Sequence, residues 1–373
     1  MIKFAINCVN FFRTKSKLQK LQLKFYSDGP IKLEKVKNLD LKKKIVKKIL
    51  EFYKKCDFLY NNFEINENLK ISGLWKNYLL INKKDQFETY GSGDLEKIIL
   101  LHENMFYNSL IKGLWSYSHY NEIKKDYTAL ILFLRDVELY KIIFRNFSGL
   151  PTSDRINKWG YREDKNKFHF LDISSNSQKN LIINSLNLIK NKKKFNILEI
   201  GGGFGSLAER LHDDEKIQSV TIFDVPSSLT IAYYYLCSKF GEDKVDLINS
   251  KNEIHSKLNL NLKKIYLIPS AFFDEIKKYN DFDLMCNFAS FSEMGFKTVK
   301  YYLENLPESV KLIVSSNSNK PTARKDTSHI EVIIDNFPIP KNFDLLFSTI
   351  QTPFFSNWRY KTKVWFKNLA TND

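Results

Sequence analysis

The chain has 373 residues, 43% of them hydrophobic, which is enough for about two ordinary domains with a sizeable core. Lys and Arg number 58 against 42 Asp and Glu, which gives a formal net charge of +16 at pH 7. The four cysteines form no Cys-x-x-Cys pair, so a structural zinc site or a disulfide framework is disfavoured. Apolar runs fall short of the roughly 20 residues of a membrane span, and we expect a cytoplasmic protein.

The basic excess is concentrated near the N-terminus. Residues 1–60 hold 16 Lys and Arg against 5 Asp and Glu, so +11 of the +16 lies in this stretch. Such a segment can attract nucleic acid or an anionic membrane. A solvated helix face explains it equally simply and is the favoured interpretation.

The first 150 residues are predicted to form a helical domain that shapes the substrate site or binds a partner. Apolar residues recur at helical spacing over about residues 41–60, with lysines on the other side. Asp94 is the expected N-cap of a second helix over residues 95–111. A third helix is expected over residues 121–144.

Residues 151–180 are rich in polar and turn residues and are predicted to connect the helices to an α/β domain over residues 181–373. In that domain apolar strands alternate with helices, and the clearest helix, 228–240, ends at Gly241. The predicted strands are 195–200, 220–224, 265–268, 282–287, 311–315, and two late strands near 344–350 and 361–366. The pattern predicts a Rossmann-like, doubly wound, mostly parallel sheet preceded by helices.

The stretch FNILEIGGGFGS, residues 195–206, is the centre of this prediction. A buried strand ends at consecutive glycines and a helix follows, which is typical of a turn that brings backbone N–H groups to a nucleotide. The spacing of Gly201, Gly203 and Gly205 fits neither GxGxxG nor GxxxxGK[ST]. Glu199 disfavours phosphates beside the turn and would attract an ammonium group. S-adenosyl-L-methionine (SAM) combines adenosine with a zwitterionic amino acid and carries no phosphate, so it is the predicted cofactor.

Further candidate residues follow the other strands. Asp224 ends the second strand, about twenty residues beyond the glycine turn, where a carboxylate can accept hydrogen bonds from ribose hydroxyls. Its alternative role is to cap the next helix. Ser270 and Ala271 follow the third strand, and Asn287 ends the fourth. Because ligands bind at the carboxyl ends of strands in open α/β sheets, all of these residues should border the cofactor.

Three motifs in order resemble a known family. EIGGGFG resembles the first motif of class I SAM-dependent methyltransferases. The series EIGGGFGSLAERL, FDVPSSLTIAYYYL and FDLMCNFASFSEM, followed by YYLENL, is similar to the sugar O-methyltransferase family over about residues 150–320. The resemblance implies SAM as cofactor, with its contacts at Glu199, Gly201, Gly203, Asp224 and the loop at Asn287. The full set of candidate cofactor residues adds Gly205, Val225, Ser270 and Ala271. The chain has Asp-Val-Pro where the family would have Asp-Leu-Pro.

A methyl transfer to a hydroxyl requires that the reactants are held in line and that a base assists. Glu293 is the first candidate for that base and His169 the second, and the resemblance implies a substrate or catalytic role near Ser292 as well. Asp326 and His329 could contribute. The alternatives are a helix-start carboxylate for Glu293 and a surface histidine for His169. No spacing of His, Asp and Glu indicates a metal.

The predicted function is methyl transfer from SAM to a hydroxyl of a sugar or glycan precursor. Trp75 and Trp115 are interpreted as core aromatics, with stacking on a sugar left as the alternative. A methyltransferase acting on RNA or another small molecule stays open, because the basic N-terminus could track phosphates. The lack of an NPPY-type or DPPY-type tetrapeptide after the fourth strand makes nucleic acid the less favoured partner. A non-catalytic binding module that keeps the fold is the third possibility.

Overall fold

The computed structural model describes residues 25–62, 65–71, 75, 84–108, 110–111, 159–163, 166–320, 332–350 and 360–368. Its helices are α1 (Leu39–Asn62), α2 (Lys84–Gly91), α3 (Leu95–Glu103), α4 (Phe170–Leu186), α5 (Ser206–His212), α6 (Pro226–Phe240), α7 (Lys251–Lys257) and α8 (Phe296–Glu304). Short 3-10 helices cover Leu33–Lys35, Glu67–Leu69, Ser270–Lys278, Phe291–Glu293 and Ile334–Asn336. No described helix combines the length and the apolar character that crossing a bilayer requires.

The described strands form two sheets. They are β1 (Phe25–Ser27), β2 (Trp159–Glu163), β3 (Asn166–Phe168), β4 (Phe195–Ile200), β5 (Ile217–Asp224), β6 (Val245–Leu247), β7 (Lys264–Pro269), β8 (Leu284–Phe288), β9 (Leu312–Ser318), β10 (Phe343–Ile350) and β11 (Tyr360–Lys367). Strands β1, β2 and β3 form a small antiparallel sheet. The other eight form one sheet in the order β10-β11-β9-β8-β4-β5-β7-β6.

The large sheet confirms the predicted Rossmann-like architecture. Strands β4 to β9 pair in parallel, and β11 runs antiparallel to both β9 and β10. From β4 the chain builds outward through β5 to the β6–β7 edge, and then returns to place β8 on the other side of β4. The order therefore reverses between β4 and β8, which is the point where ligands bind in open α/β sheets.

The two faces of the sheet bury separate cores. Side chains alternate along β4, so Ile197 belongs to one core and Leu198 to the other. Helices α1 and α3 add Ile45 and Ile98 to the first core, whereas Leu69 is buried in the second. The described N-terminal residues thus pack on both faces of the sheet, and the predicted boundary between two domains stays a prediction.

Several local predictions are confirmed. The side chain of Asp94 caps α3 by accepting hydrogen bonds from the N–H groups of Glu96 and Lys97, each at 3.1 Å. Gly241 ends α6 with a φ of +88°. Helix α6 begins two residues earlier than predicted, because Pro226 occupies the first turn, where its missing N–H has no cost.

Other predictions need correction or lie outside the described residues. Helix α3 ends at Glu103 instead of continuing to residue 111. The predicted connector, residues 151–180, contains β2, β3 and the first turns of α4. Three-residue strands such as β6 are too short to give an alternating pattern, so the sequence does not reveal them. The helix predicted over residues 121–144 lies outside the described residues.

Candidate functional site

A pocket lies at the carboxyl ends of the central strands, beside the point where the strand order reverses. The end of β5 and the turns that follow β4, β5 and β7 contribute Gly201, Gly203, Phe223, Asp224, Val225 and Ser270 to its lining. The loop after β8 and helix α8 contribute Phe288, Ala289, Ser290, Glu293, Met294, Thr298 and Tyr302. The N-terminal part of the chain contributes Leu69, Lys70, Ile71 and Trp75. The pocket therefore lies between the sheet and residues that precede it in the chain by more than a hundred positions.

The structure brings five of the nine predicted cofactor residues to this pocket. They are Gly201, Gly203, Asp224, Val225 and Ser270. The other four are not among its lining residues; they are Glu199, Gly205, Ala271 and Asn287. Glu199, Gly205 and Asn287 lie behind the lining residues and support them through their contacts.

The glycine turn is compact because three of its glycines have positive φ. Gly201, Gly203 and Gly205 have φ values of +75°, +59° and +88°, a region that other residues rarely adopt. A Cβ atom on Gly201 would lie 1.9 Å from Oγ of Ser290, so the turn and the loop after β8 touch at this point. Gly205 precedes α5, and a Cβ there would lie 2.8 Å from Cδ1 of Leu236 in α6. Gly205 therefore allows the start of α5 to approach Leu236 of α6 closely.

Asp224 fastens the glycine turn to the end of β5. Its Oδ2 accepts a hydrogen bond from the Gly203 N–H at 2.8 Å, and its Oδ1 accepts one from the Val225 N–H at 2.6 Å. The carboxylate is half-buried and lines the pocket. Val225, and not Asp224, is the N-cap residue of α6, and the cap has no side-chain hydrogen bond.

Glu199 is buried beneath the glycine turn. It is 4% exposed, and its Oε2 has no hydrogen-bond partner among the described residues. The carboxyl lies directly under Gly202, where a Cβ atom would be 3.0 Å from Cδ of Glu199. Burial, and to a smaller extent the nearby Asp224 carboxylate, raise the pKa of Glu199 to about 8. A cation at the turn would reverse this shift, because opposite charge favours the ionised carboxylate.

Asn287 joins three chain segments behind the pocket. Its Nδ2 donates to the carbonyl oxygen of Ile200 at 2.7 Å, and its Oδ1 accepts from the Phe291 N–H at 3.1 Å. The same Oδ1 accepts from Nδ2 of Asn317 in β9 at 2.7 Å. Asn287 is fully buried, so it fixes the end of β4 against the loop after β8 without lining the pocket.

The predicted base Glu293 lies in the pocket wall. It ends the 3-10 helix Phe291–Glu293, and its Oε2 accepts a hydrogen bond from the indole N–H of Trp75 at 3.0 Å. Trp75 lines the same pocket and is only partly buried. Its interpretation as a core aromatic is therefore wrong. No spacing could pair it with a carboxylate 218 residues later in the chain.

His169, the second predicted base, is not among the residues that line the pocket. It is the N-cap of α4, where its Nδ1 accepts the Leu171 N–H at 3.1 Å and its own N–H donates to Oδ2 of Asp172 at 2.8 Å. The side chain is fully buried, and burial lowers the pKa of His169 to about 3. Its interpretation as a surface histidine is also wrong, because the helix start and not the surface determines its position.

The remaining candidates divide into one buried residue and two outside the described part of the chain. Ser292 is buried, its Oγ accepts the Ser318 N–H at 2.8 Å, and it supports the loop after β8. Asp326 and His329 lie outside the described residues. Within the residues that the structure describes, no group of three or more His, Cys, Asp and Glu side chains could hold a metal ion.

Comparison with known proteins gives only distant similarity. TrmK of M. capricolum, solved with S-adenosyl-homocysteine, matches over 50% of this chain and 68% of its own, with 15% identity and a TM-score of 0.32. Magnesium protoporphyrin IX methyltransferase from Synechocystis PCC 6803 matches over 63% and 98%, with 9% identity and a TM-score of 0.35. The small RNA methyltransferase HEN1 matches over 51% and only 25% of its length, with 17% identity and a TM-score of 0.33.

No protein-family model and no curated protein sequence matches the chain. The sugar O-methyltransferase family that the three motifs resemble is therefore not established by a family match. Similarity to solved structures at these scores leaves the function to be inferred from the site itself.

The contact between Gly201 and Ser290 predicts a specific pattern of stabilities. Gly201→Ala should lose about 1–3 kcal/mol more free energy of unfolding than Gly203→Ala, measured by urea denaturation. Both substitutions place alanine at positive φ, but only the first meets another side chain, since nothing lies within 4 Å of a Cβ on Gly203. Adding Ser290→Gly should return Gly201→Ala to the level of Gly203→Ala. Equal losses in the two single variants would contradict the contact.

The buried Glu199 predicts a pH-dependent stability. Its pKa is about 8 in the folded chain against an ordinary value of 4.5, so the folded state retains a proton that the unfolded chain releases. The stability it contributes is present below pH 4.5 and is lost as the pH rises to about 8, with a slope of at most about 1.4 kcal/mol per pH unit. Urea denaturation at several pH values should show this decline in the wild type relative to Glu199→Gln.

A matched control is Glu275→Gln. A hydrogen bond from Lys251 lowers the pKa of Glu275, so its contribution is retained as the pH rises. Parallel stability curves for the wild type and Glu199→Gln would show that the buried carboxyl has an ordinary pKa.

Proposed function

We propose that the protein is a SAM-dependent O-methyltransferase whose acceptor is a hydroxyl of a sugar or glycan precursor. The observation that carries the proposal is a pocket with two chemically different walls. One wall is the glycine turn with Asp224, and the other is the hydrogen-bonded pair of Trp75 and Glu293. The first wall suits an adenosyl amino acid, and the second suits a polar acceptor.

The glycine-turn wall favours a nucleoside over a dinucleotide. Asp224 ends β5, the neighbour of β4, where a carboxylate can accept from ribose hydroxyls. The Asp224 carboxylate at the pocket would repel phosphates by charge. These features support a ligand that has ribose and no phosphate.

Glu199 supports a cationic group on the same ligand. A buried carboxyl without a partner among the described residues is ionised only at a cost, and a nearby cation reduces that cost. SAM carries an ammonium group, and in this class of reaction it supplies an electrophilic methyl group. The residues that would hold it are those of the glycine turn, Asp224, Val225 and Ser270.

The part of the lining formed by Trp75 and Glu293 suits the acceptor. The indole N–H of Trp75 donates to Oε2 of Glu293 and thereby holds the carboxylate at the pocket wall. A carboxylate there can accept the proton of an acceptor hydroxyl as it attacks. The indole ring offers an apolar surface beside this polar group, which matches the mixed C–H and O–H surface of a sugar ring. This combination favours a sugar acceptor.

SAM binding tests the cofactor part of the proposal. Calorimetric titration of the purified protein should give saturable binding of SAM and of S-adenosylhomocysteine. Asp224→Asn should weaken binding by about tenfold or more, because a hydrogen bond to a charged group contributes about 1.5–3 kcal/mol. The control is Asp246→Asn, at the β6 edge and paired with Lys264, which should leave the affinity unchanged. Wild-type protein without measurable binding would contradict the assignment.

Glu293→Gln tests the proposed base separately. Its affinity for SAM should change less than about twofold, whereas methyl transfer should fall by about 10²–10⁴, the range of a lost general base. The assay uses SAM with a labelled methyl group and a panel of nucleotide sugars, with RNA as a competing acceptor. Glu304→Gln, exposed at the end of α8, is the control. Methylation of RNA alone would contradict the sugar acceptor, and an unchanged rate would exclude Glu293 as the base.

A further inference from the structure

A second cavity, of about 250 Å³, lies where the chain before α1 meets the end of α3 and the middle of α6. It shares no lining residue with the pocket at the glycine turn. Its apolar lining comes from buried side chains of the first core; they are Met105, Phe106, Tyr234 and Tyr235. The cavity is therefore separate from the proposed cofactor pocket, and its floor belongs to the packed interior.

Hydrogen bonds hold the walls of this cavity together. The side chain of Asn104, in the turn after α3, accepts a hydrogen bond from the Ile31 N–H at 2.6 Å and donates one to the Ile31 carbonyl oxygen at 2.9 Å. Oε1 of Glu103 accepts from Nζ of Lys42 at 2.5 Å and from the hydroxyl of Tyr234 at 2.8 Å. These contacts join segments that are far apart in the chain, so the fold determines the shape of the cavity.

The cavity is positively charged. Three lysines and one glutamate line it, so with His102 neutral the lining has a formal charge of +2. Lys42 is only 6% exposed, and its ion pair with Glu103 accounts for one positive and one negative charge. The excess therefore comes from Lys35 and Lys37, which are exposed and so lie where the cavity opens to solvent.

These two lysines differ from most of the lysines that follow them on α1. Glutamates pair with four of the five lysines in the first ten residues of that helix; the four are Lys42, Lys43, Lys44 and Lys48. Lys35 and Lys37 form no ion pair with another residue in the part of the chain that the structure describes. Two cations that share a cavity and lack a counter-charge repel each other. An anion in the cavity would relieve that repulsion.

We propose that this cavity binds a small phosphate monoester whose alcohol part is apolar or aromatic. A phosphate monoester carries about −1.5 to −2 charges at pH 7, which matches the +2 of the lining. A single carboxylate would neutralise only half of that charge. Lysine ammonium groups bind phosphate as point charges, so Lys35 and Lys37 are the residues that would hold the phosphate.

The size and the floor of the cavity determine the rest of the ligand. Sites for drug-sized ligands measure about 300–1,000 Å³, so a cavity of about 250 Å³ suits a smaller molecule. The thioether of Met105 and the ring of Phe106 offer an apolar surface in the same cavity as the lysines. A nucleic acid would contact the exposed lysines and leave this floor uncovered. The site is independent of the proposed methyl transfer, because the two pockets have no lining residue in common.

Calorimetric titration of the full chain with phenyl phosphate at about pH 8 tests the proposal, since the ester is then almost entirely a dianion. Binding should saturate at one site below about 10 mM, which covers millimolar dissociation constants. The double variant Lys35→Gln with Lys37→Gln should bind at least about tenfold more weakly, because it loses two charge-assisted contacts. The matched control is Lys47→Gln with Lys54→Gln, which removes the same charge from exposed positions of α1 that do not line the cavity. It should bind as the wild type does.

Further titrations separate the two parts of the ligand and the two pockets. Phenol, which lacks the phosphate, should not bind at the same concentrations, and inorganic phosphate should bind at least about tenfold more weakly than the ester, because it has no ring to bury. Saturating S-adenosylhomocysteine should leave the affinity for phenyl phosphate unchanged, whether or not the proposed methyl transfer is correct.

Four results would overturn the proposal. They are no binding of phenyl phosphate up to about 10 mM, equal weakening in the two double variants, equal affinity for inorganic phosphate, and competition by S-adenosylhomocysteine. Displacement of the ester by a short RNA at a lower concentration would also contradict it, because the lysines would then form a nucleic-acid surface.

Discussion

The close contact between the glycine turn and the loop after β8 is the constraint on which the site depends. Gly201 has a positive φ and lies so close to Ser290 that a single methyl group would overlap its side chain. This contact joins the two strands between which the sheet order reverses. Asn287 reinforces it from behind by bonding the end of β4 to the loop. The close backbone contact and the buried amide hydrogen bonds therefore hold the pocket walls in place. These walls in turn determine where the lining side chains lie.

Charge at this end of the sheet follows from the same geometry. Asp224 is held against the turn by the N–H groups of Gly203 and Val225, while Glu199 is enclosed beneath it without such bonds to its Oε2. One carboxylate is thus stabilised in its ionised form by donors, and the other is shifted toward its neutral form by burial. The difference makes the turn responsive to a cation, which is the physical basis for preferring an ammonium-bearing ligand.

Sequence reasoning predicts the sheet well because its signals are local. The buried run Phe195–Ile200, the cap at Asp94 and the glycine that ends α6 each depend on residues adjacent in the chain. Sequence reasoning does not predict contacts between residues that are far apart in the chain. Trp75 bonds to Glu293, which is 218 positions later in the chain. His169 is buried as the N-cap of a helix, and no sequence pattern identifies its partner Asp172. The sequence correctly predicts that Asn287 lies near the end of a strand. The hydrogen bonds of its side chain, however, depend on how β9 packs beside it.

The central proposal is that an adenosyl amino acid occupies the pocket lined by the glycine turn, Trp75 and Glu293. A crystal structure of the protein with S-adenosylhomocysteine tests it most directly. The predicted result is electron density for the ligand with its ribose at Asp224, its amino group at the turn above Glu199, and its sulfur facing Glu293. Density for the ligand elsewhere on the molecule, or in this pocket with its sulfur turned away from Glu293, would contradict the account.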